Sequence, residues 1–137
     1  MRIVVDSNIV FSALLSKDNR CRRVLFQKKF EFFTCNFLMV EIFENKDKLV
    51  KVSKLSENDL ILQLSSIFSR IHFFPEDFIP KHFFIKAYEI CKIVDDKDTP
   101  FVALSLFLNA KLLTGDKKLK ESLKGKIDIV SIKELDL

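Results

Sequence analysis

A three-layer α/β/α domain with a central, mostly parallel sheet is the fold class this chain predicts. Three observations lead there. Short strand-like runs alternate with stretches of helical spacing, the order that builds βαβ units. The opening run Arg2-Ile3-Val4-Val5 is β-branched with no polar alternation, so it reads as a strand buried on both faces. The composition suits a packed core, with 48% hydrophobic residues and 15 Phe against two Gly and three Pro. The 137 residues are enough for one domain spanning 1–137 without disulfide staples.

Asp6-Ser7-Asn8 follows the first strand with three residues that each favour helix N-caps. Helical spacing continues to about Leu15 and resumes from about Asn19 to Lys29. Glu31-Phe32-Phe33-Thr34 reads as a second strand. Asn36 is placed to cap a long helix reaching about Val52. Ser56 with Asp59 has capping-box spacing for another that ends near Ile71. His72-Phe73-Phe74 is a short extended segment before Pro75, and Pro80 starts a helix running to about Ile93. Asp98-Thr99-Pro100 opens the next, with Phe101, Leu104, Phe107 and Leu108 at helical spacing. Lys111 to Thr114 reads as a strand with Gly115-Asp116 as its turn. A short helix and a strand from Ile127 to Val130 close the chain.

Several function classes drop out. No apolar run approaches the roughly 20 residues of a membrane span, and Ile3-Val4-Val5 is stopped by Asp6, unlike a signal peptide. Cys21, Cys35 and Cys91 are odd in number and scattered, which predicts buried free thiols in a reducing cytoplasm and no zinc or disulfide framework. His72 and His82 lack H-E-x-x-H spacing, and no phosphate-binding loop or nucleophile elbow is present.

The net charge of +4 is unevenly placed. Lys17, Arg20, Arg22, Arg23, Lys28 and Lys29 crowd residues 17–29. Lys111, Lys117, Lys118, Lys120, Lys124 and Lys126 crowd 111–126. Such clusters either neutralise phosphates or form ordinary solvated faces.

Ligands of open parallel sheets bind beyond the strands' carboxyl ends, where strand order reverses. Asp6 follows the first strand, Asp116 follows the strand ending at Thr114, and Asp98 begins the helix leading into that strand. Glu41 is the one charge in Phe37 to Phe43, and a carboxylate there must reach water or meet a cation. Each has a plain alternative. The three Asp residues suit caps or turns, and Glu41 suits a solvated helix face. Taken together they predict something capping does not: carboxylates sharing one crevice repel unless protonated or neutralised by a cation. Hard oxygen donors of this kind suit Mg²⁺ or Mn²⁺.

At this point a resemblance appears. Val5-Asp6-Ser7-Asn8 resembles the opening motif of PIN domains, and Glu41 their second. Asp95 to Leu104 is similar to the third motif and Leu113-Thr114-Gly115-Asp116-Lys117 to the fourth. Ile129-Val130-Ser131 with Ile132 and Leu135 fits their closing strand. The nearest subgroup in pattern is the prokaryotic PIN toxins of toxin–antitoxin pairs. This resemblance implies a Mg²⁺- or Mn²⁺-dependent ribonuclease, an RNA substrate, a homodimer and an antitoxin partner. Carried over by position, Asp6, Glu41, Asp98 and Asp116 would bind metal and activate water. Ser7 and Asn8 would hold that arrangement, and Thr114 would orient a water. Asp95 and Asp96 read as a solvated loop, with an accessory role as the other reading. Ser105 stands where Ala is frequent, and Lys118 where many relatives carry another acid. Arg20, Arg22, Arg23, Lys117 and Lys118 are the candidate RNA contacts.

Two other readings compete. A PIN fold could bind RNA or protein without cutting. A phosphate-accepting signalling domain would need adjacent acids after the first strand, where this chain has Asp-Ser-Asn.

Overall fold

The computed structural model describes residues 1–15 and 20–136. Lys17 of the first basic cluster and the helix start at Asn19 lie outside the described residues. The sheet has five strands: β1 (Arg2–Val5), β2 (Glu31–Cys35), β3 (Ile71–Phe74), β4 (Lys111–Leu113) and β5 (Ile129–Val130). All neighbours are parallel, in the order β3-β2-β1-β4-β5. The chain therefore winds outward from β1 in one direction through β2 and β3, and in the other through β4 and β5. The switch point lies between β1 and β4. Their register pairs Val5 with Leu113, which sets Asp6 and Thr114 side by side as the next residues out.

Parallel strands need crossovers, and helices supply them. They are α1 (Ser7–Leu15), α2 (Arg20–Leu25), α3 (Phe37–Glu44), α4 (Lys46–Ser53), α5 (Glu57–Phe68), α6 (Lys81–Cys91), α7 (Thr99–Leu108), α8 (Lys117–Leu123) and α9 (Ile132–Leu135). Central β1 explains its β-branched composition: Ile3, Val4 and Val5 are completely buried. On α7, Phe101, Val102, Ala103 and Leu104 are buried without a break, so this helix is apolar around most of its circumference.

The structure corrects the sequence reading in three places. The long helix expected from Asn36 to Val52 breaks at Asn45 into α3 and α4. Asn36 caps neither with its side chain, and the Asn45 amide donates 2.7 Å to the Glu41 carbonyl. The helix expected to end near Ile71 stops at Phe68, and Ile71 already begins edge strand β3, which takes in the extended His72-Phe73-Phe74 segment and pairs with β2. The chain closes on α9, held by a reciprocal Ser131–Glu134 capping box. Among the described residues, no helix is long and apolar enough to cross a membrane.

Candidate active site

Asp6 opens the site. It is the first residue past β1 and only 2% exposed. One carboxylate oxygen, Oδ1, accepts from the Ile9 backbone N–H at 3.1 Å, so the capping role does exist. The other, Oδ2, is buried with no hydrogen-bond partner. A buried carboxylate oxygen left unpaired is costly. Burial pushes Asp6 up to about 6, partly offset by the Ile9 N–H and the nearby Thr114 hydroxyl, while Glu41 and Asp116 add repulsion.

Glu41 reaches the same place from α3. Its Oε1 accepts a 2.5 Å hydrogen bond from the Ser7 hydroxyl, tying α3 to the first turn of α1. Glu41 is half-buried, and desolvation raises its pKa against the opposing effects of Ser7 and of Lys97. The one charge of the Phe37–Phe43 stretch thus finds both a hydrogen-bond donor and a cation.

Asp98 stands at the N-terminus of α7 yet makes no side-chain cap. Its carboxyl is pushed up to about 7, first by burial and then by the charges of Asp6, Asp95, Asp116 and Glu41. That set of repulsions places all four expected acids in one electrostatic neighbourhood. Asp116 caps α8 through Oδ1, which accepts from Leu119 N–H at 3.1 Å. Its own N–H donates to the buried Thr114 hydroxyl at 3.1 Å. The chain therefore uses backbone caps to anchor two of its acids, while Asp98 is held by neither cap nor ion pair among the described residues.

The remaining predicted residues divide. Asn8 is exposed beside Ser7. Lys117 and Lys118 are exposed directly after Asp116, and Arg20 is exposed at the start of α2. Arg23 pairs with Asp136 at 3.1 Å. Arg22 donates to the Ala13 carbonyl and, at 2.6 Å, to Gln63, so it joins α1, α2 and α5 whatever else it touches. Asp95 accepts from Lys97 N–H in a local turn.

Oxygen donors, a buried unpaired carboxylate oxygen and mutual repulsion all fit a divalent cation. Against this, no three His, Cys, Asp or Glu side chains among the described residues are gathered tightly enough to enclose one as they stand.

A sequence model of the PIN domain matches residues 4–126, nearly the whole chain. The chain belongs to the PIN domain family. No curated protein matches it closely enough to count as a relative. Among solved structures the PIN chain is similar to VapBC2 from Rickettsia felis, bound to a DNA fragment from its promoter. There the TM-score is 0.75 at 13% identity, covering 96% of this chain and 98% of that one. VapBC-1 from nontypeable Haemophilus influenzae gives 0.69 at 16%, covering 97% and 99%. A toxin–antitoxin complex from Klebsiella pneumoniae gives 0.64 at 12%, covering 95% and 97%. At such identities the likeness is one of fold: this PIN chain has the fold of chains solved in VapBC complexes.

Proposed function

We propose that this PIN chain is a Mg²⁺- or Mn²⁺-dependent endoribonuclease and the toxin of a toxin–antitoxin pair. The observation that carries the reading is the buried, unpartnered Asp6 Oδ2 among three further carboxylates. Asp6, Glu41, Asp98 and Asp116 would hold the ion. When bound, such an ion neutralises charge on a phosphodiester and lowers the pKa of water. The chain's own residues do the rest. Ser7 fixes the Glu41 carboxylate, Thr114 steadies the Asp116 backbone beside Asp6, and Asn8 borders the crevice. Asp98, which titrates near neutral without the ion, would give up its proton on joining the other three carboxylates around it. Arg20, Arg23, Lys117 and Lys118 would grip the RNA backbone.

The antitoxin reading draws on the fold's likeness to chains from VapBC complexes. It also draws on an apolar groove of about 550 Å³ between α3 and α5, where Met39, Phe43 and Ile61 are exposed. An amphipathic helix laid into such a groove is a common recognition mode. Homodimer formation would use Ile85 and Tyr88 of α6 with Ile93 just beyond it, all exposed.

One observation favours a PIN module that binds without cutting: the absence, among the described residues, of a three-ligand grouping. The test is incubation with labelled RNA in Mn²⁺ or in EDTA, beside Asp116→Asn. Asn caps helices as well as Asp does, so the variant keeps α8 while losing the charge. Cleavage in Mn²⁺ that EDTA and the variant both abolish supports the nuclease. RNA binding without cleavage in either buffer supports the module.

A further inference from the structure

Glu41 has a second neighbourhood. Besides facing the acidic crevice, it lines an adjoining cleft of about 370 Å³, near the small end of the ~300–1,000 Å³ typical of small-molecule sites. The cleft has a mixed apolar and polar lining. Phe11, Leu15, Leu49 and Val52 supply the apolar part; Asn8, Asn45, Lys48 and Lys97 supply the polar part. Because the Asn45 amide nitrogen donates to the Glu41 carbonyl, its side-chain oxygen is what remains to accept from an occupant. Asp95 adds a second acceptor.

We propose that this cleft receives one unpaired nucleobase of the RNA, next to the phosphate held at the acidic crevice. The inference deepens the ribonuclease reading and rests on it for the identity of the polymer. A base is flat and apolar on its faces, polar on its edge and tied to phosphates. The cleft answers each property: an aromatic ring for the face, side-chain acceptors for the exocyclic amine, lysines for the phosphates. The α3–α5 groove offers the contrast, since its exposed surface is aliphatic and aromatic with Lys46 already paired to Glu57. That chemistry suits a peptide, and the cleft's does not. A base can enter only if unstacked and unpaired, so duplex RNA is excluded and the cut falls at a fixed step from the captured base.

The experiment measures affinity by fluorescence anisotropy in EDTA, so that it does not depend on cleavage. The probes are a single-stranded RNA, the same strand with an abasic site walked along it, and its duplex. The proteins are wild type, Lys48→Ala and Phe11→Leu, the last of which keeps apolar bulk but removes the ring. One abasic position should weaken wild-type binding roughly ten-fold, as loss of a stacked base does. Phe11→Leu should weaken binding to the intact strand by a similar factor, yet add nothing on that abasic strand. Equal losses on both strands, equal affinity for duplex, or no abasic effect at all would overturn the base-binding cleft. So would Phe11→Leu and Lys48→Ala variants that bind RNA normally but lose a protein partner. Assays in Mn²⁺ keep the two readings apart: cleavage with no abasic effect sinks the cleft alone, and an abasic effect without cleavage sinks the nuclease alone.

Discussion

Asp98 is the one of the four acids whose chemistry the surroundings change most visibly. Raised from 3.8 to about 7, it holds a proton in the folded, metal-free protein that the unfolded chain releases near pH 4. Asp6, at about 6, does the same over a narrower range. The folded state then binds more protons than the unfolded state, so stability falls as pH rises through this window and is fully present below it. Wild type and Asp98→Asn should melt alike near pH 3 in EDTA, below both the unfolded and the folded pKa. At pH 8 the variant should melt higher, and a variant that melts lower there would refute the assignment. The same substitution should abolish cleavage, a gain in stability at the expense of function. Ser7 acts on the site through Glu41. Ser7→Ala should cost about 10–100-fold in Mn²⁺ affinity or cleavage, the usual scale for a group that orients a metal ligand. Isothermal titration with Mn²⁺ would measure it, and unchanged affinity and rate would leave the Ser7 hydroxyl without a role. Of these features, Asp6, Asp98 and Asp116 were legible in the sequence because each follows a strand or opens a helix, and Glu41 because it is a charge within an apolar stretch. The freedom of Asp98 from capping was not, since a residue before Thr-Pro has every local reason to cap.

Elements were legible where local signals agree. Ser56 accepts from Asp59 N–H as its spacing predicts, and the β-branched run of β1 is central and buried. The break at Asn45 was not legible, because nothing in the sequence distinguishes that Asn from a solvated helix residue. The hydrogen bond from its side-chain amide to the Glu41 carbonyl appears only in three dimensions. The base-binding cleft was missed for the same reason: its residues come from α1, α3, α4 and the segment before α7. Helix α9 was missed despite a visible signal, the Ser131-x-x-Glu134 spacing, because it spans a single turn. Ser131→Ala should lower stability by about 1 kcal/mol, the usual worth of an N-cap. Urea denaturation would show it as a lower midpoint with unchanged slope. Ser105, the departure from the commoner Ala, is also accounted for: its buried hydroxyl donates to the Ala110 carbonyl just past α7.

At the scale of the molecule, charge and topology divide the work. The acids gather at the carboxyl end of β1 and β4, and the exposed Lys117 and Lys118 follow one of them directly. RNA should bind through its backbone at this rim, with affinity that falls steeply with salt. Replacing both lysines by Ser should reduce the slope of log affinity against log salt by roughly 1 to 2, with Mn²⁺ binding unchanged. An unaltered slope would move the RNA path elsewhere on the surface. Arg22 shows why charge counting alone misleads. A cation in a basic cluster can be committed to the scaffold through a partner as distant in sequence as Gln63.

The pairing of β1 with β4 has a consequence for how the protein comes into being. Val5 and Leu113 are neighbours in space but lie more than a hundred residues apart along the chain. Asp6 is made long before Asp116, with more than a hundred residues between them. An interrupted or truncated product would carry Asp6 with nothing opposite it. A pocket holding all four acids therefore cannot form until the segment carrying β4 and Asp116 has been made.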